Sequence, residues 1–541
     1  MFKRRSYLIL ILLLALFLRL FKISDFPKTL YGDEQAFAWN AYNILKTGTD
    51  EYGTPFPLQF RSFNDYKAPV PVYLLVPVFK LFGMTPASIR IPVSLASLLT
   101  VYVFYLLVFK FLPAKISLVS SFLFTVSPWH IHLSRGYFEA TLALLFFLIA
   151  LYFFFKDNFS PKSLLLSGLF FVSALYSYFT PRMLLPLFIP FIIFIGFRLP
   201  VTGKKINYKN VALFLILIFI LSLPLIKLTF FGQGLSRFNK LNETVSQAII
   251  QTVNNERKAS NLPHSVRPFF HNKATVWLRF VKNNYLEHFS LNFWYIYGDN
   301  SLRYFLGNMG MFYLFEMPFF ILGLVTVYAR HKNLFYFLSG WLLLAPVPAS
   351  VVGRSFAVRS LSMLPVPFIF VAAGIDQMTS FIKNRPSRKI FILTLTMVTV
   401  TSIGAVLIRY YLEYPVYAAT WWGWENKAAI DYAKARENKY QQIFISDFYT
   451  GSTLAYAVYN NFDPLKYRQA VNNPVVMADN RHFIKLGKYY FGSLDLDEKR
   501  LSEGTIPKKS LYIGRPEEAA SDETINAPDD GRIIFIIHKT E

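Results

Sequence analysis

Long apolar blocks, separated by short basic or aromatic turns, occupy the first three quarters of the chain. They lie near 6–22, 91–111, 116–132, 137–156, 163–179, 183–198, 210–231, 309–328, 333–350, 360–381 and 390–410. Most approach the roughly 20 residues that a helix needs to cross a bilayer. A further apolar run, 69–83, is shorter and carries Pro69, Pro71, Pro77 and Lys80. As a helix it would reach about 22 Å, short of a ~30 Å hydrocarbon core, and its prolines weaken a regular span. It is expected to lie at the interface. The segment ATVWLRFVKNNYLEHFSLNFW (274–294) reads as an amphipathic helix on the membrane surface. After residue 410 the pattern changes. QQIFISD (441–447), KSLYIG (509–514) and RIIFIIH (532–538) read as strands, with a helical stretch near 426–437.

Composition agrees with a polytopic α-helical membrane protein. Hydrophobic residues make up 54% and charged ones only 16%, against about a quarter charged in soluble domains. A purely soluble enzyme is excluded. The net charge of +24 suggests nucleic acid until its distribution is read. Residues 411–541 hold 16 basic and 18 acidic side chains, and residues 1–410 hold 40 and 14. The excess belongs to the membrane part, where it sets orientation or meets anionic ligands; no nucleic-acid partner is expected. There is no cysteine, hence no disulfide or thiol catalysis.

Loop charge sets the expected topology. With Lys3–Arg5 inside and 69–83 not crossing, Lys110, Lys115, Lys156, Lys162, Arg198, Lys204, Lys205, Lys209, Arg330, Lys332, Lys383, Arg385, Arg388 and Lys389 all fall on the inner side. This gives about 11 transmembrane helices over 1–410, outer loops 23–90 and 232–308, and an extracytoplasmic α/β domain at 411–541. The chain is expected in the plasma membrane, with its site on the outer face.

On that face the loops gather ionisable residues, which are costly near a bilayer and so are functional candidates. They are Asp33, Glu34, Asp65, Lys67, Arg90, Arg135, Glu139, Arg182, Arg354 and Arg359. Arginines bind phosphate oxygens through charge-assisted, often bidentate bonds. A carboxylate can take the proton from an acceptor hydroxyl or amine. A lipid phosphate is thus a fitting substrate for the set. Each residue also has a plainer role: Asp33-Glu34 as first-turn acids of a helix over 33–46, the arginines as headgroup anchors, and Glu139 as a helical partner of Arg135. His130 and His132, two residues apart, do not share a helix face, which argues against a metal site. Glu316 is expected to make a buried structural hydrogen bond.

The motifs around these residues resemble the GT-C glycosyltransferases, in particular the protein O-mannosyltransferase-like group that includes the lipid A aminoarabinose transferases. GDE followed by AFAWNAYNILKTG resembles that group's Asp-Glu loop. KAPVPVYLLVPVFKLFG with IRIP resembles its proline-started interfacial helix and the arginine after it. SPWHIHLSRGYFEAT is similar to its Ser-Arg and acidic motif, with Glu139 where Asp is more usual. EHFSLNFWYIYGDNSLRYFLGNMG and WLLLAPVPAS with VRSLSMLPVPFIF resemble segments of bacterial members. The resemblance implies a GT-C fold and an inverting transfer from a polyprenyl-phosphate sugar outside the cytosol. It implies Asp33 as the acceptor-activating carboxylate with Glu34 beside it, and Arg90 near the donor phosphate. Arg359 is the expected second phosphate contact, with Arg135, Arg182 and Arg354 in support and Asp65 and Lys67 as substrate contacts. The sugar would be a hexose such as mannose, or an aminopentose; the acceptor would be a lipid, glycan or protein. The motifs name no cofactor, and a divalent metal is compatible with them. An oligosaccharide ligase of another GT-C branch is the alternative enzyme. A transporter is the alternative outside enzymes, though no related halves are visible.

Overall fold

Each apolar block contains a helix, because a backbone in hydrocarbon must satisfy its polar groups internally. The computed structural model describes residues 2–63, 65–198, 206–230, 236–353, 356–477, 480–497, 499, 506–519, 521 and 523–540. Helix α1 (Phe2–Leu20) leads into a loop and then α2 (Gly32–Thr47). A small hairpin of β1 (Phe60–Ser62) and β2 (Asp65–Lys67) precedes α3 (Pro69–Phe82), the proline-rich run. The bundle continues through α4 (Pro86–Phe111), α5 (Ala114–Val126), α6 (Pro128–Leu133), α7 (Glu139–Phe155), α8 (Pro161–Leu175), α9 (Thr180–Arg198) and α10 (Tyr208–Phe230). An excursion of α11 (Ser236–Ala259), α12 (Arg267–Phe270) and α13 (Lys273–Glu287) follows. The chain then returns through α14 (Glu316–Arg330), α15 (Lys332–Leu344), α16 (Val347–Val352), α17 (Phe356–Arg359), α18 (Pro365–Phe381) and α19 (Arg385–Ile408).

Among the described residues, seven helical stretches are long and apolar enough to cross a membrane, and α3, α5 and α8 are shorter apolar helices. The protein is an integral membrane protein. Two blocks differ from their expected form. The run 116–132 is two helices, broken at Ser127 before Pro128, whose ring disfavours helical geometry in the residue before it. The run 309–328 becomes helical only at Glu316, because Met311 and Phe312 donate backbone hydrogen bonds to Phe293 and Trp294 instead. Helices α14 and α18 pack backbone to backbone at Gly323 and Gly374, where a Cβ would stand 1.8 Å and 1.9 Å from carbonyl oxygens.

Beyond residue 410, α20 (Tyr414–Tyr417) and α21 (Trp424–Lys434) lead into β3 (Gln442–Ile445). Helices α22 (Ser452–Tyr459) and α23 (Pro464–Asn472) follow, then β4 (Val475–Val476), β5 (His482–Leu486), β6 (Tyr489–Phe491), β7 (Ser510–Gly514), β8 (Glu523–Asn526) and β9 (Ile533–Lys539). They form one seven-stranded mixed sheet of order β4-β5-β6-β3-β7-β9-β8, with β3 parallel to both β6 and β7. The expected strands are all present; β4, β5, β6, β8 and both helices after β3 are additional.

The two ends of the bundle differ in chemistry. At one end Phe111 shares a polar pocket with Arg330, His331 and Lys332, Lys115 pairs with Asp376, and Asn210 bonds the Phe159 carbonyl. Residues of the expected inner loops 110–115, 156–162 and 330–332 thus lie at such polar contacts; Lys204 and Lys205 lie outside the described residues. The candidate residues gather at the other end.

Candidate active site

Helix α2 separates the two adjacent acids. Tyr31 precedes its first turn, and the Tyr31 backbone N–H donates to Glu34 Oε2 at 3.3 Å, so Glu34 supplies the capping contact expected of the pair. Glu34 is fully buried, takes an N–H from Tyr137 at 2.8 Å, and pairs with Arg90 at 2.9 Å. Asp33, one residue earlier, points elsewhere. Its carboxylate is about one-third exposed and pairs with Lys67.

Arg90 and Arg135 are both fully buried. The remaining Arg90 donors go to the carbonyls of Ile23, Pro27 and Thr29 and to Glu34 Oε2. Arg135 donates to the carbonyls of Leu18, Arg19, Phe21 and Phe26 and to Tyr410 Oη, with Tyr410 and Tyr411 rings near its guanidinium. All five N–H groups of each arginine are engaged. Together they stitch down residues 18–29, and Arg135 satisfies carbonyls at the end of α1 that the helix leaves open. The Arg135 donors thus go to α1 and its following loop rather than to Glu139.

Lys67, Glu139 and Arg182 instead share a pocket with Gln59, Tyr66, Tyr178 and Phe179. Each is placed by an element terminus: Lys67 ends β2, Glu139 begins α7 and Arg182 sits in the first turn of α9. Asp65 lies 4.0 Å from the Lys67 ammonium. Burial opposes the charge on Lys67, but Asp33, Glu139 and Asp65 raise its pKa above the ordinary lysine value. Arg182 and Phe179 also line an apolar cavity of about 660 Å³ between α8, α9 and α10. Arg359 lines an adjoining apolar pocket that shares Tyr178 with the polar one. Arg354 lies outside the described residues.

Two residues that the motif reading does not single out stand close by. Tyr304 packs against Phe138, with ring centroids 5.9 Å apart; burial, then the charge of Asp33, raises its phenol pKa while Arg303 and Arg359 lower it. Arg303 lies 5.3 Å over the Tyr31 ring and donates to the Trp421 carbonyl. Asp299 holds this loop against α17, accepting from Ala357 N at 2.8 Å. The quoted segment YGDNSLRYF contains all three residues. The sequence marks that segment by its resemblance to bacterial members of the group, with no signal for any one of the three.

His130 contacts Arg19 at 2.8 Å and His132 contacts the Arg303 carbonyl at 2.9 Å. Among the described residues no group of three or more His, Asp or Glu is placed to hold a metal. Glu316 accepts from Tyr313 N at 3.1 Å, a buried structural bond.

The sequence pattern of the dolichyl-phosphate-mannose-protein mannosyltransferases matches residues 66–223. The whole chain superposes on ArnT from Cupriavidus metallidurans bound to undecaprenyl phosphate, over 98% of each chain at 12% identity and a TM-score of 0.53. The fold is that of the GT-C glycosyltransferases. Apo ArnT superposes over the same 98% of each chain, with a TM-score of 0.52. The apo oligosaccharyltransferase of Archaeoglobus fulgidus shares the GT-C fold over 84% of this chain and 63% of its own, at 13% identity and a TM-score of 0.50. No curated protein matches. The matched segment carries Lys67, Arg90, Arg135, Glu139 and Arg182; Asp33 and Glu34 precede it and Arg359 follows.

Proposed function

We propose that the protein transfers a sugar from a polyprenyl phosphate to an acceptor on the extracytoplasmic side of the plasma membrane, with inversion at the anomeric carbon. One observation carries this reading: Arg182 and Phe179 belong at once to the polar pocket of Lys67 and Glu139 and to the large apolar cavity. A lipid phosphate needs such a boundary, with cations for its oxygens and hydrocarbon walls for its chain. ArnT in complex with undecaprenyl phosphate has the same fold.

In this reading Asp33 takes the proton from an acceptor hydroxyl or amine as that atom bonds to the anomeric carbon. The sugar–phosphate bond breaks on the opposite face, and the electron pair leaves with the polyprenyl phosphate. Lys67, Arg182 and Arg359 offset the charge that develops there. Glu139 keeps Lys67 charged. Glu34, Arg90 and Arg135 act on the scaffold. The sugar is a hexose such as mannose or an aminopentose, and the acceptor a lipid, glycan or protein. Incubating the full chain in liposomes with radiolabelled polyprenyl-phosphate mannose or aminoarabinose, with and without envelope extract, tests it. Label should leave the polyprenyl carrier for a new product. Retention of label on the carrier with every sugar and extract overturns the reading.

A further inference from the structure

The C-terminal sheet region touches residues 29–54 at several places, and one of them leads to both elements that carry the Asp33–Lys67 pair. Near the start of α2, Leu30 N donates to Tyr459 Oη at 2.9 Å and Thr29 Oγ1 to the Trp422 carbonyl at 2.7 Å. Further along α2, Trp39 meets Tyr467 edge-on, with ring centroids 4.8 Å apart. Beyond α2, Arg468 of α23 grips the turn 49–54. Its Nε donates to the Glu51 carbonyl at 3.1 Å, and its Nη2 to the Asp50 carbonyl at 2.6 Å and to Thr49 Oγ1 at 2.8 Å.

The turn is built for this grip. Asp50 Oδ1 accepts from Tyr52 N at 3.0 Å and Thr54 N at 2.7 Å, closing the loop on itself. Gly53 has φ +95, and a Cβ there would stand 3.1 Å from Arg468 Nη1. The gripped residue then reaches two ways. Glu51 N donates to Asn40 Oδ1 of α2 at 3.2 Å, and the buried Glu51 carboxyl faces Asn40 and Ser62 of β1. Helix α2 carries Asp33, and β1 pairs with β2, which carries Lys67. Arg468 is thus one residue removed from both elements whose spacing sets the pair.

We infer that the C-terminal region is a latch that positions Asp33 against Lys67, with Arg468 as the positioning residue. The planar fork suits the task because it fixes direction as well as distance. The activity side of this inference rests on the reading of Asp33 as the base.

The test compares wild type with Arg468→Ala, Arg468→Lys and Thr49→Val, all as the full chain in lipid nanodiscs. Hydrogen exchange is followed in peptides covering 32–36 and 60–67, together with unfolding temperature, kcat and donor KM. In Arg468→Ala, exchange should rise in both peptides at an unchanged unfolding temperature. Turnover should fall about ten- to a hundredfold, as misplacement of a reacting group does, with donor KM within about twofold. Lysine should restore part of the loss. If the alanine variant fails to fold, Thr49→Val is judged on the same exchange readout, with a smaller rise expected. Unchanged exchange in 32–36 and 60–67, or a loss of turnover that merely tracks a lower unfolding temperature, overturns the latch. Raised exchange with full turnover leaves the latch standing and removes Asp33 as the base.

Discussion

Arg90 and Arg182 have the same side chain and both lie at the polar end of the bundle, yet the two regions use it differently. Around Arg90 the acceptors are internal: Glu34 and three carbonyls of the 21–29 loop take every N–H. Around Arg182 an N–H goes to the Leu175 carbonyl at 3.2 Å, while the side chain borders a polar pocket on one side and an apolar cavity on the other. The first region spends its arginines on holding a loop with few regular hydrogen bonds of its own. The second sets its arginine on the walls of two cavities. The adjacent acids repeat the division, Glu34 belonging to the first region and Asp33 to the second. Charge at a membrane face therefore identifies candidates, and satisfaction by neighbours sorts them.

The largest effect is expected at Asp33. A general base contributes about 10² to 10⁴-fold in rate, so Asp33→Asn should reduce turnover by that order with protein abundance unchanged. Because Glu34 makes the capping contact, the helix should not register the change; a transferase assay beside an unfolding curve checks both. Full activity in the Asn variant would place Asp33 with the scaffold and break the division.

Next is Arg90→Ala. Removing one partner of a buried, hydrogen-bonded pair costs roughly 3–5 kcal/mol, so this variant should lose folded protein in membranes rather than donor affinity. Its yield and unfolding temperature are the readout. A stable Arg90→Ala protein with weakened donor use would move Arg90 to the ligand side.

Arg182→Ala should do the reverse. Loss of a charge-assisted bond to phosphate costs about 2 kcal/mol in donor use, with the fold intact. Arg182→Lys should recover only part of it, since the fork is lost. Donor kinetics of both variants sharpen the comparison, and unchanged kinetics would return Arg182 to lipid anchoring.

The smallest effect concerns Glu51. Burial raises its pKa to about 7, against hydrogen bonds from Ser62 and Asn40 that lower it. The folded state holds this proton after the unfolded chain has released it, so the associated stability is present at acidic pH and is lost as pH rises through 7. Glu51→Gln should raise the unfolding temperature by on the order of 2 °C at pH 8 and leave it unchanged at pH 4. A gain at pH 4 instead would show that burial does not control the group.

The helices were legible because their signal is local. A run of apolar side chains fixes membrane burial and helical backbone wherever the run happens to pack. Strands β3, β7 and β9 were legible for a similar reason, being short β-branched and aromatic runs. Edge strand β4, of two exposed valines, and the three-residue β6 carry too little pattern to be read. The first-turn acids were legible as a pair, but their different roles were not.

What the sequence by itself determined is the membrane character, the helical segments, the acids and bases available at one end, and the motif order that marks the GT-C fold. Only the tertiary structure decided which of those side chains hold the scaffold and which line the cavities. The physical reason is that hydrogen-bond partners come from distant parts of the chain. Arg135 reaches back to Leu18, Arg90 to Glu34, and Arg468 to Thr49 across most of the protein. Asp299 and Arg303 likewise tie the loop that carries Tyr304 to α17 and to the Trp421 carbonyl. Residue type sets what a group can bind, and the closure of long loops sets whether anything in the protein has already bound it.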